Sequence, residues 1–240
     1  MSAKLNMFFL LLLQATLILS ALPPIQKCSL GDSGCLQKSA QNVVSVFSGG
    51  IPELSVEPLE PVHIDIINID LSGLKLTVKD SEIKGLSKST IDKVQFDSSK
   101  KVMQFAFNVP IVLKGKYKAS GKLLILPISG DGDITLKIKK IEIFLTMAYE
   151  IIKNENGKDV IDLKSYKFTY ENRVNTHFKL TNLFNGNKVL SDAMHSFMND
   201  QWAAITQEFG IPMLEKPVKK IFNAIKTYLR SQPLEEIAII

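Results

Sequence analysis

The residues able to do chemistry are few and dispersed. The three histidines are His63, His177 and His195. The first two fall in strand-like stretches and the third in a helical one. A metal centre or a general base needs histidines or carboxylates gathered in space, and these positions predict no such gathering. Each histidine is therefore expected on the surface or in a structural hydrogen bond. The sequence holds no Gly-x-Ser-x-Gly, His-Glu-x-x-His or Cys-x-x-Cys. An esterase acting on apolar esters would lack its nucleophile motif. Residues 115–122 imitate a phosphate loop, but the spacing is too long and Leu123 stands where Ser or Thr is required. Asp131 and Asp133 lack the further ligands and terminal Glu of a calcium loop. With Gly130 and Gly132 they predict a hairpin turn over residues 129–133. No enzyme activity, no metal and no cofactor is expected.

Two chemical signals remain. Cys28 and Cys35 are the only cysteines, and an even count in a secreted chain predicts a disulfide. The other signal is apolar. Phe105, Phe107, Phe144, Trp202, Ile205, Phe209 and Met213 are expected on inward faces, where they would line a site for a small hydrophobic ligand. Such sites are built mostly from side chains of this kind. Composition alone leaves a packed core and a ligand tunnel equally open.

Three kinds of element must position these residues. Leu36, Ala40, Val43, Val44 and Phe47 share one face of a helix that Ser48-Gly49-Gly50 ends. Pro58 and Pro61 keep the following segment extended. Strands then run from about residue 62 to residue 180. Leu74, Leu76 and Val78 alternate with polar residues, as do Ile134, Leu136 and Ile138. Phe105, Phe107 and Val109 also keep one parity. The parity flips between Ile66 and Ile67 and again at Lys139-Lys140, after which Ile141, Ile143, Leu145, Met147 and Tyr149 carry the apolar face. Each flip predicts a β-bulge, which bends and twists a sheet. Asn154-Glu155-Asn156-Gly157 predicts a hairpin turn, and Asn185-Gly186-Asn187 closes the strand region. A long helical pattern fills residues 191–230, with Ser191 or Asp192 as its cap. Gly210, Pro212 and Pro217 interrupt it, so one kinked helix or two coaxial ones are expected. Its apolar residues spread around much of the circumference, which calls for cover on most sides. A curved sheet wrapped around that helix satisfies both surfaces.

The N-terminus predicts a compartment. Lys4 precedes an apolar run from Met7 to Leu13 and Leu17 to Leu19, followed by small Ser20 and Ala21. That is the layout of a secretory signal peptide over residues 1–21, with cleavage after Ser20 or Ala21. An uncleaved anchor is the alternative, but a membrane span needs about 20 apolar residues. Residues 22–240 would form one domain. The net charge of +5 is mild, and the lysines are scattered rather than gathered in a stripe, so no nucleic acid is expected. Lys114, Lys116 and Lys118 share a strand face, as do Lys137 and Lys139. They form a solvated outer face, or else touch an anionic membrane or a receptor.

An ordered set of short stretches resembles the takeout and juvenile-hormone-binding proteins of insects. It begins with Leu22-Pro23-Pro24-Ile25 ahead of Cys28 and Cys35, then Gly50-Ile51-Pro52-Glu53-Leu54 and Glu57-Pro58-Leu59-Glu60-Pro61. Lys84-Gly85-Leu86-Ser87, the stretch from Val109 to Tyr117 and the stretch from Ser120 to Gly132 follow. Met198-Asn199-Asp200-Gln201-Trp202 is similar to the family's Asn-x-x-Trp segment. Hormone carriers of the family have a second disulfide, for which this chain has no cysteines, so the likeness is to the takeout branch. The resemblance implies an α+β fold in which a highly curved antiparallel sheet wraps a long C-terminal helix around an apolar tunnel, related to the lipid-binding halves of bactericidal and lipid-transfer proteins. It implies a secreted, monomeric carrier of a terpenoid, fatty-acyl or similar ligand. A membrane-surface or protein-interaction module with a filled core is the alternative.

Overall fold

A computed structural model describes residues 25–239. The signal segment expected over residues 1–21 lies outside the described residues. The elements are β1 (Cys28–Ser29), α1 (Ser33–Ser48), β2 (Val62–Leu71), β3 (Leu74–Lys84), β4 (Thr90–Asp97), β5 (Val102–Leu123), β6 (Leu126–Lys153), β7 (Asp159–Glu171), β8 (Thr176–Leu180), α2 (Lys188–Asp200), α3 (Trp202–Ser231), α4 (Leu234–Ile237) and β9 (Ala238–Ile239).

Seven strands form one antiparallel sheet in the order β2-β3-β5-β6-β7, with β4 also on β5 and β8 also on β6. The 22-residue β5 and the 28-residue β6 are its spine. Each long strand changes partner midway. β5 pairs with β4 up to Asn108 and with β3 from Val112 onward. β6 pairs with β8 around Leu136 and with β7 from Glu142 onward. Between them the spine carries the parity flip read at Lys139-Lys140: Val109 opposes Ile141 and Ile111 opposes Ile138, so Pro110 faces two residues. A proline, which cannot donate to a ladder, is tolerated at such a bulge.

The second flip has a more distributed cause. Ile64 and Ile67 are both buried, but the β2–β3 register is unbroken. The extra residue belongs to β3, where Asp80 takes φ 48° and the β3–β5 register slips between Lys79 and Glu82. Gly115 on β5 lies opposite, where a Cβ would come within 2.8 Å of the Lys79 carbonyl.

The expected turn at residues 129–133 is a misreading. These residues run inside β6, and the chain reverses at Leu124, with φ 54°. The glycines instead admit a neighbouring backbone. A Cβ on Gly130 would stand 2.7 Å from the Tyr117 hydroxyl and one on Gly132 would stand 2.5 Å from Thr181 Oγ1. Glycine inside a strand marks such a close approach as readily as a turn. The turn expected at residues 154–157 is present, with Asn154 Oδ1 accepting from the Asn156 and Lys158 amides.

The helical region begins earlier than expected and breaks elsewhere. Asn187, not Ser191 or Asp192, caps α2 by accepting from the Leu190 amide at 3.1 Å. The break falls at Gln201, between α2 and α3. Helix α3 continues through Gly210, Pro212 and Pro217, because packing compensates for the two lost backbone bonds. Pro217 is buried. Gly210 is a notch in which a Cβ would sit 2.0 Å from the Tyr170 hydroxyl, and that hydroxyl donates to the Thr206 carbonyl.

Both edges of the sheet reach the same helix. On the β2 side Lys216 Nζ donates to the Ile66 carbonyl at 2.5 Å. On the β7 side Lys226 and Arg230 each stand 3.9 Å from buried Asp162. Antiparallel strands joined at both edges to one rod must curve around it. The cover is partial, since Ala204, Gln207, Ile211, Glu215 and Asn223 face solvent. Helix α1 is clipped to the free edge of β4 by two glutamines one turn apart. Gln41 donates to the Ser89 carbonyl and accepts from the Ile91 amide, and Gln37 donates to the Ile91 carbonyl. The Cys28–Cys35 disulfide ties β1 to the start of α1, and β1 pairs in parallel with β9 at the opposite end of the described chain.

Candidate functional site

The space between sheet and helices is not filled from end to end. A first chamber of about 160 Å³ lies beneath α1, between β4, the start of β5 and the last turns of α3. A second of about 100 Å³ lies beside the middle of α3, against the bulged centre of β5 and β6. Leu86, Phe107 and Ile221 line both and form the wall between them. Phe107 is 2% exposed and tilts against Phe105 with ring centroids 5.5 Å apart.

The first chamber is apolar apart from Ser39, Ser48, Ser89 and Tyr228, and among the described residues no Lys, Arg, His, Asp or Glu lines it. Ser39 Oγ donates to the Gln26 carbonyl and Ser48 Oγ to the Ser45 carbonyl. Tyr228 meets Phe47 edge-on at 5.9 Å, and burial pushes its phenol up to about 12, so it stays neutral. The second chamber has Lys84, Asn172, Thr206 and Tyr170 among its lining. Burial raises the Tyr170 phenol as well.

The residues expected to line a site divide three ways. Phe105 and Phe107 border the first chamber, and Phe107, Ile205, Phe209 and Met213 border the second. Trp202 packs against the core but borders neither. Phe144 needs correction. It is 37% exposed on the outer face of β6, because strand side chains alternate and its neighbours Ile143 and Leu145 take the inner positions. The parity already read along that strand contained the answer. The expectation passed over the α1 stripe of Leu36, Val43 and Phe47, whose amphipathic spacing was visible but was not linked to the site. It also passed over Ile91 and Val94 of β4. A register shift between Ile91 and Lys93 breaks their alternation, so no period-2 signal marks the strand.

The histidines are accounted for individually. His195 Nε2 accepts from the Leu180 amide at 3.0 Å, and its Nδ1 lies 2.8 Å from the Ser191 carbonyl. His63 and His177 are exposed on strands. Asp133 pairs with Lys116, and Asp131 accepts from Asn182 at 2.9 Å. Among the described residues no three His, Cys, Asp or Glu side chains converge as a metal site. No helix among them is long and apolar enough to cross a membrane. What the arrangement can do chemically is surround an apolar molecule.

Comparison with known proteins agrees with this geometry. Residues 8–238 match the haemolymph juvenile hormone binding protein family. The circadian clock-controlled protein daywake of Drosophila melanogaster is 31% identical over 214 residues, covering 84% of this chain and 82% of daywake. A putative beta-carotene-binding protein of Schistocerca gregaria is 23% identical over 133 residues, covering 54% of this chain and 53% of its own. The crystal structure of takeout 1 from Epiphyas postvittana superposes with a TM-score of 0.88 at 42% identity, covering 90% of this chain and all of that one.

Proposed function

The chain belongs to the haemolymph juvenile hormone binding protein family, and from that premise we propose that it is a secreted carrier enclosing one small lipophilic molecule, a terpenoid or a fatty-acyl compound. The observation that carries the reading is the pair of apolar chambers divided by Phe107. A protein interior is normally packed to crystal density, and two adjoining voids in one core forgo dispersion contacts that a guest would restore. Each buried CH₂ adds about 0.8 kcal/mol, so an apolar chain needs no charged anchor to bind tightly. The family and its relatives are named for binding juvenile hormone and beta-carotene, which supports the ligand class. The Cys28–Cys35 disulfide and the leader-like residues 1–21 support secretion.

The test is extraction. The protein is collected from the medium of expressing eukaryotic cells, its organic extract is analysed by mass spectrometry, and terpenoids and fatty-acyl compounds are titrated against a bound neutral fluorophore. A stoichiometric apolar species, or displacement lost when Val43→Phe fills the first chamber, is the expected result. No extractable lipid together with no displacement by either ligand class overturns the proposal.

A further inference from the structure

The β5–β6 hairpin ends in an apolar turn that a row of lysines leads up to, and neither feature borders a chamber. Ile125, in the turn, is 80% exposed. The β2–β3 turn lies beside it, since the Lys122 amide donates to the Gly73 carbonyl at 2.9 Å, and exposed Leu71 leads into that turn. Helix α2 starts at the same end of the sheet. Past β8 the chain runs on to bridge Leu183 to Gly130. Helix α2 then returns alongside β8, with Ser191 on Leu183, His195 on Leu180 and Asn199 on Phe178. Its first turn therefore brings Val189, 78% exposed, and exposed Leu190 to that end. Single apolar side chains on a surface need no explanation, but four drawn to one end by three connections mark an interaction surface.

The lysines lie on the outer face of two adjoining strands. Lys75 and Lys79 of β3 and Lys114, Lys116, Lys118 and Lys122 of β5 are all exposed, and the register sets Lys79 directly opposite Lys116. Like charges so placed destabilise a sheet. Asp133 pairs with Lys116, and Asp70 with Lys75 at 3.7 Å. Among the described residues Lys79, Lys114, Lys118 and Lys122 pair with no carboxylate. Lysines commonly guard an edge strand against further pairing. That role does not apply, because β5 is bonded to β3 on one side and β6 on the other from Val112 to Gly121. A row of unneutralised cations that runs to an apolar end matches a bilayer with anionic headgroups, which offers negative charge at its surface and hydrocarbon beneath. A soluble polyanion would use the lysines and leave the apolar end wet. A second copy of this chain packed two-fold through this face would set lysines against lysines.

We propose that this end of the molecule docks on anionic phospholipid bilayers, with Ile125 inserted among the acyl chains and Lys118 and Lys122 on the headgroups. Each lysine at such a surface strengthens binding about five-fold, and the inserted isoleucine adds the burial of its side chain. Docking of this kind goes beyond the carrier reading and does not depend on it, because none of these residues borders either chamber.

The experiment is co-sedimentation of the full chain, collected from the medium of expressing cells, with vesicles of phosphatidylcholine alone or with about one part in three of phosphatidylserine. Binding to the mixed vesicles and not to phosphatidylcholine alone is expected, weakening about ten-fold or more between about 0.1 M and 0.5 M salt. Lys118→Gln with Lys122→Gln lowers affinity about 25-fold, and Ile125→Ser lowers it about ten-fold. Lys93→Gln with Lys153→Gln makes the same charge change toward the other end of the sheet and leaves affinity within about two-fold. A urea midpoint matching wild type shows each variant folded. No binding to the mixed vesicles overturns the inference. Equal loss from the Lys93 and Lys153 changes does so too, since it reduces the contact to net charge. Binding indifferent to Ile125→Ser also overturns it, being the behaviour of a surface for soluble polyanions. Each of these results leaves the carrier reading standing, which extraction and probe displacement test separately.

Discussion

Phe107→Ala removes the largest of the three side chains in the wall between the chambers, and its consequences separate a partition from an ordinary core residue. Phe107 is 2% exposed and borders both voids. Truncating a buried Phe to Ala costs 3–5 kcal/mol where the ring is packed on all sides. Here two sides already face empty space, so fewer contacts are lost, and about 3 kcal/mol is expected. The ligand side moves the other way. At about 160 Å³ the first chamber is close in size to an engineered void of roughly 150 Å³ that admits benzene, so a straight chain fills it early. Along a series of primary alcohols, affinity should rise about four-fold per CH₂ until the chamber is full, then level off. In Phe107→Ala the second chamber becomes continuous with the first, and the rise should continue over several further carbons. Probe displacement with alcohols of increasing length reads the break point, and urea unfolding reads the stability. A long alcohol at 100 times its dissociation constant should return about 2.7 kcal/mol to the variant. An identical break point in both proteins would refute the partition, as would a wild type whose affinity climbs through the longest chain without a break.

Three further outcomes follow from particular contacts. Gly210→Ala improves helix propensity by about 1 kcal/mol but places a methyl where the Tyr170 hydroxyl lies. A net loss of 1–2 kcal/mol is expected by urea unfolding, and Tyr170→Phe in the same chain should relieve only part of it, because the ring carbon Cζ also stands 2.4 Å from the added methyl, whereas Tyr170→Leu should relieve more. Replacing both Cys28 and Cys35 by Ser opens a short loop whose closure contributes about 2.5 kcal/mol by the loop-entropy argument, so the urea midpoint should fall without loss of the β-sheet circular dichroism. The buried carboxyl of Asp162 is held below its ordinary range first by the hydrogen bond from Lys164 and then by the charges of Lys164, Lys226 and Arg230, with burial opposing; Glu150 shares Lys164. A depressed carboxyl contributes stability present above about pH 4, the unfolded Asp range, and lost as pH falls through its folded value. The urea midpoint should therefore decline below about pH 4, and Asp162→Asn should be 1–3 kcal/mol less stable at neutral pH with a shallower acid decline.

What the sequence made legible depended on whether a residue's role was local. The bulge at Lys139-Lys140 was visible because a bulge changes which parity is apolar, and that change is written in neighbouring residues. The α1 stripe was visible for the same reason. Gly130 and Gly132 were misread because the reason for their small size is Tyr117 and Thr181, distant in sequence. Gly210 and the two prolines of α3 left one kinked helix and two coaxial ones both open, and a single helix spans them. They carry the local signature of a break, but Tyr170 occupies the notch and the core holds Pro217, whereas Gln201, where the helices do part, carries no breaker chemistry. The voids were the least legible feature, since Ile, Val and Phe look the same whether they meet one another or surround a guest.

The position of the wall follows from how the sheet is assembled. Where β5 exchanges β4 for β3, neither partner covers Val109 to Ile111, and the chain crosses that gap as a tight turn at Leu86–Lys88. Gly85, at φ 126°, enters the turn so close to Pro110 that a Cβ would lie 1.8 Å from its carbonyl oxygen. Leu86 borders both chambers at the level where the spine bulges, as does Phe107 of β5. The division between the chambers is thus made by the side chains of Leu86, Phe107 and Ile221, two of them carried on the sheet and its connecting turn and the third on α3. Phe107 contributes only a side chain, with two torsions of its own. A guest longer than the first chamber passes by turning these side chains, the Phe107 ring being the largest, rather than by widening the sheet.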